Sequence, residues 1–159
     1  MPSPQDSPAG ESHSVINLDS QADDLALVFN LIDKSDSGNS HWAHLEIALQ
    51  IGERYQFKHL PDLVPLRASH CITGSTAVEI FQFASLNGFH DLARLAVASF
   101  WKDCNLIIKD YDTLPPYVCD NVSGRYGVAL IVAMAKHPRV KGLVPQERWE
   151  RIGGCFNVG

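Results

Sequence analysis

Histidines and cysteines come close together at two places in this sequence, and each pairing could support its own chemistry. His41 and His44 flank Trp42 at a spacing that puts two imidazoles on one face of a helix, as in some zinc sites. A closed zinc site needs four ligands, and neither a cysteine nor a suitably placed carboxylate completes the set. We therefore expect no metal and no other cofactor here, only a polar start to a helix.

The second pairing is His70 with Cys71, which could combine a base with a thiol nucleophile. Residues that are adjacent in a chain rarely direct their side chains at each other, and no third group that would orient the histidine is evident. The common hydrolase, metalloprotease and phosphate-loop motifs do not occur in the sequence. We interpret Cys71 as a structural thiol and the chain as non-enzymatic, and we keep a small thiol-dependent enzyme around Cys71 as an alternative.

Two pairs of aspartates could serve in acid–base catalysis, but their positions favour solvated structural roles. Asp23 and Asp24 fall in the first turn of an expected helix, where the helix dipole favours negative charge. Asp110 and Asp112 lie on either side of Tyr111 in an expected loop. Neither pair is therefore assigned a catalytic role.

Four aromatic side chains could line a ligand pocket, and their spacing instead predicts a hydrophobic core. They are Phe81, Phe89, Phe100 and Trp101. Amphipathic helices bury such stripes against one another. We therefore expect these rings inside the molecule.

The composition is that of one globular domain, with 159 residues, 45% of them hydrophobic, and a net charge of −5. Basic residues are not clustered, so we expect no nucleic-acid partner. The longest apolar run, GVALIVAMA at 127–135, is too short to cross a bilayer, so we expect no membrane partner either.

The N-terminal segment MPSPQDSPAGESHS has few apolar residues, and it predicts a disordered tail over residues 1–14, ahead of a single helical domain over 15–159. Because this segment lacks the apolar centre of a signal peptide, we expect a cytoplasmic or nuclear protein. In such a reducing compartment the cysteines are expected to remain free thiols. They are Cys71, Cys104, Cys119 and Cys155.

Apolar residues recur at helical spacing through most of the chain, while the strict alternation typical of strands is not sustained. Stripes at this spacing begin near Leu25, Trp42, Leu60, Ala77, Asp91, Tyr126 and Pro145. The sequence thus predicts an all-α fold, an irregular bundle of about six to eight short helices, with one optional short strand at residues 15–18.

Glycine and proline predict where the helices meet and end. Gly52 lies inside the second helix, where it would permit a close contact with a neighbouring helix. Pro65 is expected to leave the third helix short or kinked, because it lacks a backbone donor. Gly88 is expected to end the fourth helix and so form a helical hairpin with the fifth. Gly153 is expected to end the last helix after Ile152.

The order of these segments resembles the BTB/POZ domain family, in its fungal form. SVINLDSQADDLALVFNLID resembles the short strand, acidic turn and helix in the middle of such a domain, and HLEIALQIGERYQFKHLPDLV resembles the helix pair that follows. TAVEIFQFASLNGFHDLARLAV resembles the helical hairpin that comes after the domain in many fungal members. The matching positions are Ala48, Tyr55, Phe57, Leu60, Leu63, Ile80, Phe81, Ala84, Gly88, Leu92 and Ala93.

The resemblance divides the domain into a BTB/POZ-like half, residues 15–70, and a helical extension, residues 71–159. It implies a truncated module for protein–protein interaction, acting as an adaptor or in oligomerisation, and it links the chain to cullin ubiquitin-ligase scaffolds by resemblance only. The family's N-terminal half, which supplies most of the dimer surface and the cullin-binding motif, has no counterpart here. Asp33 also replaces a usual tyrosine. A truncated gene model or a degenerate copy is equally consistent with these departures.

Helices that normally cover a sheet would expose apolar side chains once the sheet is missing, and such a surface suits a protein partner or a second copy of the chain. We expect it either to be repacked under the C-terminal helices or to be held by that partner. The residues predicted to contact the partner are Val15, Ile16, Leu18, Phe29 and Phe57. An unrelated helical-repeat scaffold remains a second interpretation of the paired helices.

Overall fold

The computed structural model describes residues 22–32, 42–103, 114–140 and 142–159, and all regular structure within these ranges is helical. The predicted all-α fold is confirmed. The longer helices are α1 Ala22–Ile32, α2 Trp42–Arg54, α3 Leu60–His70, α4 Ala77–Asn87, α5 His90–Ala98, α7 Gly124–Lys136 and α8 Pro145–Cys155. Two single turns complete the set, a 3-10 turn at Phe100–Lys102 and α6 at Pro116–Cys119. The predicted tail, at 1–14, and the optional strand, at 15–18, lie outside the described residues.

The α4–α5 hairpin that was predicted from Gly88 is present. It forms the centre of the molecule. This glycine has a left-handed φ of 74°, and the N–H of Phe89 donates to the carbonyl oxygen of Ala84 at 2.9 Å, which closes the end of α4. α5 then packs against α3, α4 and α8. α4 is covered on most of its sides by α5, the α6 turn and the 3-10 turn. Its buried residues are Ala77, Val78, Ile80, Phe81, Phe83, Ala84 and Ser85.

Aromatic rings fill the core between the hairpin and α8. The Phe81 ring meets the Phe100 ring edge-on, with centroids 5.6 Å apart, and Phe100 meets Trp149 at 5.3 Å. Phe81 and Phe100 are fully buried, while Phe89 and Trp101 are half-buried against the same core. The prediction that these rings form core is confirmed for Phe81 and Phe100, while Phe89 and Trp101 are only partly buried.

The corner between α2 and α3 is closed by backbone hydrogen bonds rather than by a glycine. Gln56 adopts a left-handed φ of 57°, and the N–H of Phe57 donates to the carbonyl oxygen of Gly52 at 2.8 Å. Gly52 itself is buried, and a Cβ there would lie 2.5 Å from Cδ1 of Leu60. The predicted close helix contact at Gly52 is thus confirmed.

α3 continues through Pro65 to His70, so the proline does not end this helix. A proline removes one backbone hydrogen bond, while Val64 and Ala68 remain buried on either side of it. The predicted end of the last helix is wrong. α8 runs past Gly153 to Cys155. Gly153 is buried against α5, and its role is to allow the two helices to approach.

Candidate functional site

The described residues of the predicted partner-binding set have different environments. Phe29 lies on α1 with 56% of its surface exposed, although neighbouring Val28 is fully buried. Phe57 is half-buried and packs against the core at the α2–α3 corner. Val15, Ile16 and Leu18 lie outside the described residues. Phe29 is therefore the predicted partner residue with the most open ring among those described.

Among the residues considered for metal binding and acid–base chemistry, those with described side chains are exposed. His44 is exposed at the start of α2, and Asp23 is exposed at the start of α1. His41, Asp110 and Asp112 fall outside the described residues. Among the side chains that the structure describes, no group of three or more His, Cys, Asp or Glu is positioned to hold a metal ion.

The environment of Cys71 does not favour a nucleophile. Its thiol is half-buried and lies 3.7 Å from the carbonyl oxygen of Arg67, to which it can donate. Burial raises the pKa of the Cys71 thiol, because the charged form loses hydration. A thiol nucleophile needs the opposite shift, since the thiolate is the reactive form.

A histidine–cysteine pair does form, at His137 and Cys155. The Nε2 atom of His137 lies 3.1 Å from Sγ of Cys155, where the end of α7 meets the end of α8. The Nε atom of Arg148 donates to the backbone carbonyl oxygen of His137 at 3.1 Å and fixes that segment. His137 and Cys155 are far apart in sequence, so no short motif predicts this pair.

An apolar stripe is left open on the outer side of α7. Val128 is 62% exposed, Ile131 59% and Val132 48%, and Ala135 is exposed one turn further on. Positions 128, 131, 132 and 135 follow the helical repeat, so the four side chains form one face, called here the α7 outer face. A contiguous exposed apolar surface is typical of a protein-binding site.

The opposite side of α7 is firmly anchored in the core. Tyr126 is buried, its ring is stacked on His90, and its hydroxyl lies 2.8 Å from Nδ1 of that histidine. Burial raises the pKa of the Tyr126 hydroxyl. The other buried residues of this inner face are Ala129, Leu130, Ala133 and Met134. Because the inner face is fixed, the outer face is presented in one orientation.

The start of α7 is tied to α4 by polar side chains. The Nε2 atom of Gln82 donates to the carbonyl oxygens of Tyr117 and Asp120, at 2.7 and 2.8 Å, and so holds the α6 turn. The hydroxyl of buried Ser85 accepts the N–H of Ser123 at 3.2 Å, directly before α7. The hairpin therefore sets where α7 begins.

A cleft of ≈650 Å³ continues from the α7 outer face. Apolar side chains line most of it, and Arg139 and Arg148 stand at its margin. The full lining is Leu114, Cys119, Ile131, Met134, Ala135, Pro138, Arg139 and Arg148. A second cleft, of ≈490 Å³ between α2 and α4, is more acidic, with Glu46, Glu53 and Glu79 on its walls. The two clefts would suit partners of opposite charge.

Sequence reasoning identified the inner face of α7 and missed the outer one. The stripe that begins at Tyr126 predicts which side is buried. The missed signal is that Val128, Ile131 and Val132 make the remaining circumference apolar as well. A helix that is apolar all round is buried on every side or needs a partner.

No family model, no curated protein and no solved structure matches the chain. Within the described ranges, no helix has the length and apolar character needed to cross a membrane. What the chain does is therefore inferred from its own surfaces, above all from the α7 outer face.

Proposed function

We propose that this chain is a non-enzymatic protein–protein interaction module whose docking surface is the α7 outer face. The observation that carries the proposal is the exposure of Val128, Ile131 and Val132 on one side of a helix whose other side is anchored. Covering the exposed halves of such aliphatic side chains contributes on the order of 1 kcal/mol each. Burial of these side chains by a partner would therefore contribute favourably to the free energy of binding.

The resemblance to BTB/POZ domains supports the same class of function, as an adaptor or in oligomerisation. Positions that carry the resemblance include Ala48 and Leu60, which are buried on either side of the α2–α3 corner. The proposal does not extend to cullin binding, because the positions that carry the resemblance do not include the family's cullin-binding motif.

The properties of Cys71 support binding rather than thiol catalysis. A thiol whose pKa is raised by burial is protonated at neutral pH and reacts slowly. The irregular helices likewise favour a bundle over a repeat scaffold, since they range from the four residues of α6 to the thirteen of α7.

Proximity labelling in cells with matched surface variants tests the proposal. Ile131→Glu places a charge in the α7 outer face, and Leu66→Glu makes the same change at an equally exposed leucine on α3 (60% exposed, against 59% for Ile131). We expect a set of labelled proteins to disappear with Ile131→Glu and to remain with Leu66→Glu.

Thermal melts of the purified variants provide the control, and we expect both to match the wild type because both positions are exposed. If Ile131→Glu and Leu66→Glu retain the same labelled proteins as the wild type, the α7 outer face is not a docking surface and the proposal fails.

A further inference from the structure

We propose that the α7 outer face of one copy of this chain binds the exposed face of α1 of a second copy. This inference rests on the proposed function and names the partner. In this contact Phe29 becomes a residue of the interface. The association is head-to-tail, since two different surfaces meet.

The exposed face of α1 has an aromatic anchor and a negative end. Ala22, Ala26 and Phe29 recur at helical spacing and are all exposed, with Asp23 exposed beside them. The helix sequence ADDLALVFNLI contains two aspartates and no basic residue. Exposed aromatic rings with short apolar neighbours are typical anchors of binding surfaces.

The α7 outer face is flanked by residues of the opposite charge. The helix sequence GRYGVALIVAMAK has Arg125 near its start and Lys136 at its end, both exposed, and no acidic residue. Arg139 follows at the margin of the adjoining cleft. Charge complementarity of this kind selects the partner and speeds encounter.

An antiparallel arrangement brings both kinds of contact into register. Asp23 and Phe29 are six residues apart, about 9 Å along α1. Starting from Lys136 and moving about 9 Å towards the start of α7 leads to the stretch between Val132 and Val128. Asp23 of one copy therefore meets Lys136 of the other while Phe29 lies on the valines. The antiparallel arrangement also places the positive N-terminal end of the α1 dipole beside the negative C-terminal end of the α7 dipole, which favours this orientation.

Pairing between identical faces is disfavoured by the same charges. Two α7 outer faces packed antiparallel would bring Arg125 of one copy beside Lys136 of the other. Two α1 faces would offer Asp23 no basic residue to pair with. Pairing within one molecule does not occur, because Phe29 and Ile131 are both exposed in a single chain. The complementary faces therefore meet between copies.

After a single contact the pair retains one free α1 face on one copy and one free α7 outer face on the other, so growth continues beyond a dimer unless a ring closes. Two short helix faces bury less than the ~1,200 Å² of a standard interface, so the association is weak and depends on concentration. Salt should weaken it further, because exposed charges are screened.

Sedimentation velocity of the full chain, over a range of protein and salt concentrations, tests the inference with two charge-reversal variants. Asp23→Arg reverses the α1 face, and Arg125→Glu with Lys136→Glu reverses the α7 outer face. We expect the wild type to grow past a dimer, each variant alone to associate several-fold more weakly, and an equal mixture of the two to recover association. Phe29→Ala should weaken it as well. Thermal melts verify that the variants are folded.

The inference is overturned if the wild type stays monomeric at every protein and salt concentration. It is also overturned if Asp23→Arg leaves the association unchanged, or if association stops at a dimer that salt does not weaken. These results leave the proposed function intact if Ile131→Glu still loses labelled proteins that Leu66→Glu keeps. Loss of both effects removes the proposed function together with the inference.

Discussion

α4 and α7 are both rich in apolar residues, and the molecule uses them in different ways. α4 has neighbours on most of its sides, so Val78, Ile80, Phe81 and Phe83 are all buried. α7 has the core on one side only, so Val128 and Ile131 remain more than half exposed. A high apolar content therefore indicates that a helix packs against other surfaces on most sides. The arrangement of the other helices decides whether this chain or another molecule supplies those surfaces.

This difference between α4 and α7 also separates the residues that stabilise the fold from the residues that are available to bind a partner. Substitutions in α4 should change the free energy of unfolding, whereas substitutions on the α7 outer face should change association and leave folding unaffected. The predictions below test this separation, starting with the largest effect.

Phe81→Ala is expected to destabilise the fold by roughly 3–5 kcal/mol, because it opens a cavity in a fully buried site that contacts two other rings. Ile131→Ala, the matched change on α7, is expected to alter the free energy of unfolding by less than about 0.5 kcal/mol. Urea denaturation followed by circular dichroism measures both. Equal losses at the two positions would show that α7 is covered in solution.

Gly153→Ala is expected to cost about 1–3 kcal/mol, because the new Cβ would lie 2.6 Å from Cβ of Ala98 and force α8 away from α5. Gly154→Ala is the matched control on the same helix, with nothing within 4 Å of its added Cβ. Since alanine favours helices, this control is expected to stabilise by up to about 1 kcal/mol. Equilibrium unfolding of the pair measures the opposite signs, and a stabilising Gly153→Ala would contradict the close approach.

Gln82→Glu is expected to loosen the start of α7 at a cost of about 1 kcal/mol, since a carboxylate cannot donate to the carbonyl oxygens of Tyr117 and Asp120. Hydrogen exchange followed by mass spectrometry should show faster exchange over residues 117–127. Exchange in α2 serves as the internal reference and should not change. Unaltered exchange around α6 would mean that other contacts hold this turn.

Tyr126 is expected to ionise later than an ordinary tyrosine, because burial raises the pKa of its hydroxyl above the usual value near 10. The folded state favours the neutral form, so its stabilising effect is present below that pH and is lost as the pH rises beyond it. Ultraviolet titration at high pH should show a late component that Tyr126→Phe removes. A late component that persists in this variant would assign it to another tyrosine.

Much of the fold follows from local sequence rules. Helical spacing gives the helices, and Gly88 gives the hairpin, because these signals act within a few residues. The end expected at Gly153 was misjudged, because this residue packs against Ala98 on another helix and local rules do not contain that contact. Burial on both sides of Pro65 likewise outweighs one lost hydrogen bond, so α3 continues through it.

The candidate site was less predictable, because exposure depends on which elements end up side by side. Phe29 was predicted as a partner contact, and the structure leaves 56% of its surface exposed. The α7 outer face and the His137–Cys155 pair depend on how α7 lies against α5 and α8. Neither arrangement has a signature within a short stretch of sequence.

The close approach of α5 and α8 also constrains how this sequence can diverge. Position 153 has no room for a side chain while Ala98 faces it, so drift at either position is limited by the other. Any related sequence that keeps this helix pair should hold glycine at 153 next to a small residue at 98, or exchange the two in a coordinated way. The neighbouring position 154 is open and should vary freely. That contrast between adjacent positions is a pattern by which distant relatives of this chain can be recognised.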